Sequence, residues 1–169
     1  MSQRKTISRT TTVARRRQSG FSLLEVLIAL LVLSIGLLGL AALQTMGLKF
    51  NTQSYQRTQA VLQAYDIIDR MRANPAGMTA GLYNNVGINA TPPALPTCPC
   101  NSTQMADYDI NQWKNAIGAL LAQGKGAVCR GTLDTNLACT DAGSGTTFTV
   151  GIEWRENDLP MRMQVVAQL

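Results

Sequence analysis

A single apolar run constrains this chain more than any other feature. Residues 21–43 are 23 positions dominated by Leu, Ile, Val and Ala, with one charged side chain, Glu25. At about 1.5 Å rise per residue, a helix of that length covers roughly 35 Å and crosses a ~30 Å hydrocarbon core. Ahead of it lie Arg4, Lys5, Arg9, Arg15, Arg16 and Arg17, with no acid among the first twenty residues. That excess of Lys and Arg puts the N-terminus in the cytoplasm and residues 50–169 across the membrane.

The formal charge of +5 invites a nucleic-acid reading. Six of the fifteen basic residues sit in the leader, however, leaving nine against ten acids in the rest of the chain. A nucleic-acid footprint belongs on the folded face that binds, and here the positive charge sits beside a membrane span, so no nucleic-acid partner is expected. Residues 50–169 suffice for one small domain. The chain has no histidine, which removes Ser-His-Asp and Cys-His constellations and most zinc sites. There is no Gly-rich phosphate loop, no metal-spaced cluster and no nucleophile with a base beside it. The expectation is a protein that is not an enzyme and carries no cofactor.

The helical pattern continues past the apolar run. Leu43, Met46 and Phe50 keep helical spacing, residues 51–59 are almost entirely polar, and Val61, Ala64, Ile68 and Met71 form a second apolar stripe. This predicts one long helix from about residue 21 to about residue 72, stopped by Asn74-Pro75 and Gly77. Residues 76–103 are turn-rich and read as an ordered surface loop. A shorter helix is expected over residues 109–123, capped by Asp107 or Asp109, ended by Gly124, and burying Trp113, Ile117, Leu120 and Leu121. Period two then takes over. Phe148, Val150, Ile152 and Trp154 alternate with polar or small residues, as do Met161, Met163, Val165, Ala167 and Leu169. Two antiparallel strands joined through residues 156–160, with a third near residues 127–130, give a small sheet whose apolar face the rear of the long helix covers. The fold class is α+β: a helical spine, one extra short helix and a small antiparallel sheet. Trp113 and Trp154, at helical and strand positions among apolar neighbours, read as core rather than as ligand platforms.

Glu25 is the residue whose placement needs a reason. A carboxylate in mid-bilayer costs about 2.5–3.5 kcal/mol on insertion scales. Five residues from Gly20 it lies close to the interface, where snorkelling to the headgroups lowers that penalty. Cleavage after Gly20 supplies a stronger reason, because it creates an α-amine on Phe21 with an unperturbed pKa of about 7.7–8. A carboxylate four residues on pairs with that amine, and across subunits the pair removes two charges that are each costly in an apolar filament core.

Gly20-Phe21-Ser22-Leu23-Leu24-Glu25 after a basic leader resembles the type III leader motif of type IV pilins and type II secretion pseudopilins. The resemblance implies cleavage by a prepilin peptidase between Gly20 and Phe21, N-methylation of Phe21, and guidance of assembly by Glu25. Leu33-Ser34-Ile35-Gly36-Leu37-Leu38-Gly39-Leu40-Ala41, Asp69-Arg70-Met71-Arg72-Ala73-Asn74-Pro75-Ala76-Gly77, and Trp113 before Leu120-Leu121 resemble the PilV group of minor pilins. That implies a pilin-like fold, other minor and major pilins and an inner-membrane assembly platform as partners, and a part in priming type IV pili for twitching and attachment. Many major pilins carry a proline in the membrane half of this helix and this span has none; Gly36 and Gly39 are in its place. Glycine weakens a helix by about 1 kcal/mol relative to Ala, and it equally lets membrane helices pack closely.

Cys98, Cys100, Cys129 and Cys139 all fall in the exported part, where disulfides persist. Cys98-Pro99-Cys100 is too tight for an easy mutual bridge. Two pairings are then favoured, 98–129 with 100–139 or 98–139 with 100–129, stapling the proline-rich loop to the sheet. A zinc site is disfavoured by the one-residue spacing and the missing histidines.

The expected organisation is a cleaved leader over residues 1–20, a transmembrane and assembly segment over 21–49, and a periplasmic domain over 50–169. Before assembly the protein would sit in the inner membrane as a single pass, and afterwards in the pilus. A pseudopilin of a type II secretion system is the near alternative. A tethered or secreted ligand-binding domain, released after the weak small-x-small site Gly39-Leu40-Ala41, is the alternative from another class.

Overall fold

The computed structural model describes residues 20–97, 100–140, 143 and 145–169. The basic leader through Ser19 and the cysteine at position 98 lie outside the described residues. The chain divides into two compact units, with the boundary between Met46 and Gly47.

Helix α1 runs Leu23–Ala73 as one element. Up to Met46 every described residue is exposed. Leu, Ile and Val stand on all sides of the helix, so no single face can be buried by folding alone. Beyond Gly47 the helix becomes amphipathic and buries Ala60, Ala64, Ile67, Ile68 and Met71. Val61, expected in that stripe, is 39% exposed, and Ala60 and Ile67 take the inward positions.

The residues after α1 are more ordered than their turn-rich composition suggests. Asn74 caps a short helix α2, Pro75–Thr79, by accepting from the Gly77 N–H at 3.1 Å, with Pro75 at the first helical position. A two-residue strand β1, Asn85–Val86, follows. Helix α3 is Ser102–Leu120, starting seven residues before the expected residue 109. Its start is a reciprocal capping box. Asn101 Oδ1 accepts from the Gln104 N–H at 2.9 Å, and Gln104 Oε1 accepts from the Asn101 N–H at 3.0 Å. Asp107 and Asp109 therefore stand inside the helix and do not cap it. At its other end the Leu121 N–H reaches Ile117 O, so the helix closes before Gly124. Trp113, Ile117 and Leu121 are buried, whereas Leu120 is 43% exposed.

Strands β2, Lys125–Arg130, β3, Thr147–Glu156, and β4, Leu159–Gln168, complete a four-stranded antiparallel sheet in the order β1-β2-β3-β4. The β3–β4 hairpin turns on Asn157 and Asp158, with φ of 50° and 64°. Left-handed residues at both central positions are what a two-residue hairpin needs to match strand twist. One face of the sheet (Val128, Phe148, Val150, Ile152, Trp154) packs with the buried stripes of α1 and α3 in a single core. Trp113 donates from Nε1 to Gln63 O at 2.8 Å, fixing α3 against α1.

The other face is covered too, and here the cysteine expectation is corrected. Cys129 is bonded to Cys139, with Cα atoms 5.4 Å apart, which excludes both favoured cross-pairings. Cys100 is disulfide-bonded as well. The Cys129–Cys139 bond closes a loop whose Leu133 and Leu137 pack with Ala127 and Cys129 over the second face. Asp134 Oδ1 accepts from the Asn136 and Ala138 N–H groups, and Arg162 and Gln164 on β4 donate to Thr135 O and Asp134 O. Gly151 is the contact point: a Cβ there would meet Leu137 Cδ2 at 2.7 Å and Leu133 Cδ1 at 2.8 Å. This bond therefore fastens a loop over the sheet rather than tying the proline-rich segment down. Burial runs almost unbroken along β3 for the same reason, in place of the expected alternation.

Candidate functional site

The first described residues form the candidate processing and assembly segment. Phe21 and Ser22 precede α1, and Ser22 O accepts from the Glu25 N–H at 3.0 Å and the Val26 N–H at 3.3 Å. Ser22 is thus the residue from which the helix departs, and Glu25 lies in its first turn. A carboxylate there meets unpaired N–H groups and the positive end of the helix dipole, a favourable local place for an acid.

Gly20 is exposed, and a Cβ built on it meets nothing within 4 Å. Packing among the described residues therefore gives no reason for a glycine at this position. Phe21 is 81% exposed. From Phe21 to Leu43 inclusive, fifteen large apolar side chains are exposed, none by less than 45%. This part of the helix is long and apolar enough to cross a membrane, and none of it is buried. At roughly 1.5 kcal/mol or more per side chain, leaving that surface in water costs on the order of 20 kcal/mol. Lipid or other helices must cover it. Gly36 and Gly39 likewise have nothing within 4 Å of a built Cβ, so packing within this chain does not account for them.

The run from Asp69 to Gly77, singled out on sequence, resolves into a buried polar junction. Tyr83 donates to Asp109 Oδ2 at 2.7 Å, and Arg70 approaches Asp109 Oδ1 at 3.5 Å while pairing with Asp66 at 2.9 Å. Asn74 donates from Nδ2 to Tyr83 Oη at 3.1 Å and to Ser102 O at 2.8 Å, and its Oδ1 caps α2. Gly77 leaves room for it: a Cβ would meet Asn74 Nδ2 at 2.5 Å. One network therefore locks the end of α1, α2, Tyr83 and α3 together. Burial, reinforced by the bond to Asp109, pushes the Tyr83 phenol well above its usual range. Partial burial lowers the Arg70 pKa, but the hydrogen bond and charge of Asp66, then those of Asp109, outweigh it and leave it raised. Asp109 was read on sequence as a helix start; its actual role depends on Tyr83, 26 residues away in sequence. Asn74 before Pro75 and the Asn101-x-x-Gln104 spacing are the sequence signals that could have found the two caps.

Lys114, also missed, is buried on α3 and donates to Gly87 O at 2.6 Å and Ala90 O at 2.7 Å, holding the loop after β1. Burial brings its pKa down to about 8. Trp113 and Trp154 are core, 0% and 3% exposed. Among the described residues there is no cluster of three or more His, Cys, Asp or Glu side chains placed to hold a metal.

Comparison with known families bears on both halves of this arrangement. Residues 15–41 match the prokaryotic N-terminal methylation motif, which contains Gly20, Phe21 and Glu25. Residues 42–111 match the family of the type IV pilin Tt1218, a stretch that takes in the rear of α1, the polar junction and the first half of α3. No curated protein and no solved structure matches the chain. The two matches abut, so residues 15–111 are similar first to the N-terminal methylation motif and then to the family of the type IV pilin Tt1218.

Proposed function

We propose that this chain is a minor pilin of the PilV kind that primes and joins type IV pili. Prepilin peptidase cleaves it between Gly20 and Phe21 and N-methylates Phe21. Before assembly it is a single-pass inner-membrane protein with residues 1–20 in the cytoplasm, residues 21–49 as membrane and assembly segment, and residues 50–169 in the periplasm. The observation that carries the reading is the exposed, all-round apolar start of α1, interrupted by one carboxylate and directly preceded by Gly20-Phe21. Cleavage leaves a cation four residues from Glu25. In the filament, the Glu25 carboxylate of one subunit and the Phe21 amine of the next neutralise each other in apolar surroundings. A subunit out of register leaves both charges unpaired, a penalty of several kcal/mol. The Cys129–Cys139 bond suits the oxidising periplasm. The partners are other minor and major pilins, the peptidase and the inner-membrane assembly platform.

The test is deletion of the gene and complementation with wild type or with Glu25→Ala. Deletion is expected to reduce pilus number and twitching, with wild type restoring both and Glu25→Ala restoring neither. Unchanged piliation with lost exoprotein secretion would instead assign the chain to a secretion pseudopilus.

A further inference from the structure

Strand β4 ends the sheet, and one bond fixes which of its backbone groups point away from it. The Leu169 N–H donates to Thr146 O at 2.8 Å, continuing the β3–β4 register. The odd-numbered residues of β4 therefore exchange bonds with β3, and the even-numbered ones face outward. Pro160 falls on an outward position, where its missing N–H costs the ladder nothing. The N–H and C=O groups of Arg162, Gln164, Val166 and Gln168 all point outward, and among the described residues no other segment's backbone bonds to them. Edge strands are ordinarily protected by shortness, a bulge, a charge or a covering segment. The ten residues of β4 pair one to one with β3 from Gln168 to Leu159, so no bulge interrupts them. Its single charged residue, Arg162, is drawn aside to Glu153 at 2.6 Å and Thr135 O at 2.8 Å. Beyond Pro160 the edge is unprotected, and Val166 stands 66% exposed.

Three features say what covers such an edge. A row of alternating donors and acceptors is matched by an extended backbone, so the occupant is a strand. On the α1 side, Met161, Met163, Val165, Ala167 and Leu169 pack on the core yet stay partly exposed. Beside them lies a cleft of about 320 Å³, lined by Arg57, Val61, Trp154, Met161, Arg162 and Met163. A strand with apolar side chains on that side would extend the row and set one of them in the cleft. Arg57 makes no ion pair among the described residues, and residues 159–169 contain no acid. A second copy of β4 would bring only another arginine, whereas a strand carrying an acid complements the cleft. We infer that the outer edge of β4 is a docking site for an extended segment of a different protein, with a row of apolar side chains toward α1 and a carboxylate at the end of that row, beside Arg57. The inference concerns the unit after Gly47 alone and stands or falls separately from the pilin reading.

The full-length chain in mild detergent is titrated with the synthetic peptide Glu-Thr-Val-Thr-Val-Thr-Val-Thr-Glu. Its valines and glutamates share one face, and an acid at each end lets one reach Arg57 in either strand direction. Wild type is expected to bind it saturably. In hydrogen exchange resolved to single amides, Arg162, Gln164, Val166 and Gln168 should exchange fast in the free chain. With peptide at about ten times its Kd, they should exchange about tenfold more slowly. N-methylation of the peptide's threonines, whose N–H groups meet β4 in antiparallel pairing, should weaken binding about tenfold, the worth of one or two hydrogen bonds. Arg57→Glu should weaken it about threefold, as for one exposed ion pair. Val166→Pro removes an N–H that has no partner among the described residues, so it should abolish binding and keep the urea midpoint near that of wild type. No saturable binding up to millimolar peptide, equal affinity for the N-methylated peptide, or slow exchange of the four amides in the free chain overturns the inference. Protection that rises with the concentration of the protein alone would also overturn it, by making a second copy the occupant.

Discussion

Replacing Tyr83 with Phe removes one oxygen from the buried junction and leaves the packing unchanged. Tyr83 is 0% exposed and Asp109 is 5% exposed, so water cannot readily replace the lost hydroxyl. Asp109 Oδ2 loses its 2.7 Å donor and keeps only the longer contact of its other oxygen to Arg70. Asn74 Nδ2 still has Ser102 O, so the damage concentrates on the carboxylate. A hydrogen bond to a charged group is worth about 1.5–3 kcal/mol, so we expect about 2 kcal/mol of lost stability. The assay is urea unfolding of the full chain in mild detergent, read by the fluorescence of Trp113 and Trp154, both in the core. With an m-value of about 1.5–2 kcal/mol/M, the midpoint should fall by about 1 M. Combining Tyr83→Phe with Asp109→Asn closes a double-mutant cycle whose coupling should reach about 1 kcal/mol. A loss below about 0.5 kcal/mol for Tyr83→Phe, or additive single mutants, would refute the idea that this network locks α1, α2 and α3 together.

Three further outcomes follow from other parts of the domain. Removing the Cys129–Cys139 bond by paired Ser substitutions frees a short loop and should cost about 3 kcal/mol by loop-closure entropy; a urea midpoint equal to wild type would contradict the loop's covering role. Gly126→Ala sets a Cβ against the Trp113 ring and Ile117 Cδ1, and should cost roughly 1–3 kcal/mol in the same assay. Lys114 gives a pH signature: its folded pKa of about 8 lies below the usual 10.5, so the unfolded chain binds the extra proton between those values and stability rises with pH from about 8. Above about 10 Tyr83 opposes this, because burial raises its pKa and only the unfolded chain releases the proton. Lys114→Met should abolish the rise between pH 8 and 10 in a thermal-unfolding series, and a rise that survives the substitution would contradict the assignment.

The long-period features of this fold were legible in the sequence because each rests on a repeated signal. The apolar run, the second α1 stripe and the alternation of β4 each repeat over several turns or residue pairs. What the sequence did not reveal depends on single residues or distant partners. The start of α3 is set by Asn101 and Gln104, the ends of a run of four polar residues that composition alone assigns to a loop. The alternation expected for β3 vanished because Leu133 and Leu137 cover its second face, a contact that no local pattern encodes. Cysteine spacing could not distinguish the observed Cys129–Cys139 bond from the pairings that reach back to the proline-rich loop. At the candidate site, Gly20, Phe21 and Glu25 were readable as one contiguous motif. The junction behind Asp69 to Gly77 was not, since Tyr83 and Asp109 enter it from other elements.

The central claim is that the chain enters the pilin pathway by cleavage between Gly20 and Phe21. It is tested most directly by the N-terminal sequence and intact mass of the protein recovered from its native membrane, with and without the prepilin peptidase. The account predicts a chain that begins with N-methylated Phe21 when the enzyme is present and retains its leader when the enzyme is absent. A chain that begins near Met1 in both strains, or at Ala42, would contradict it.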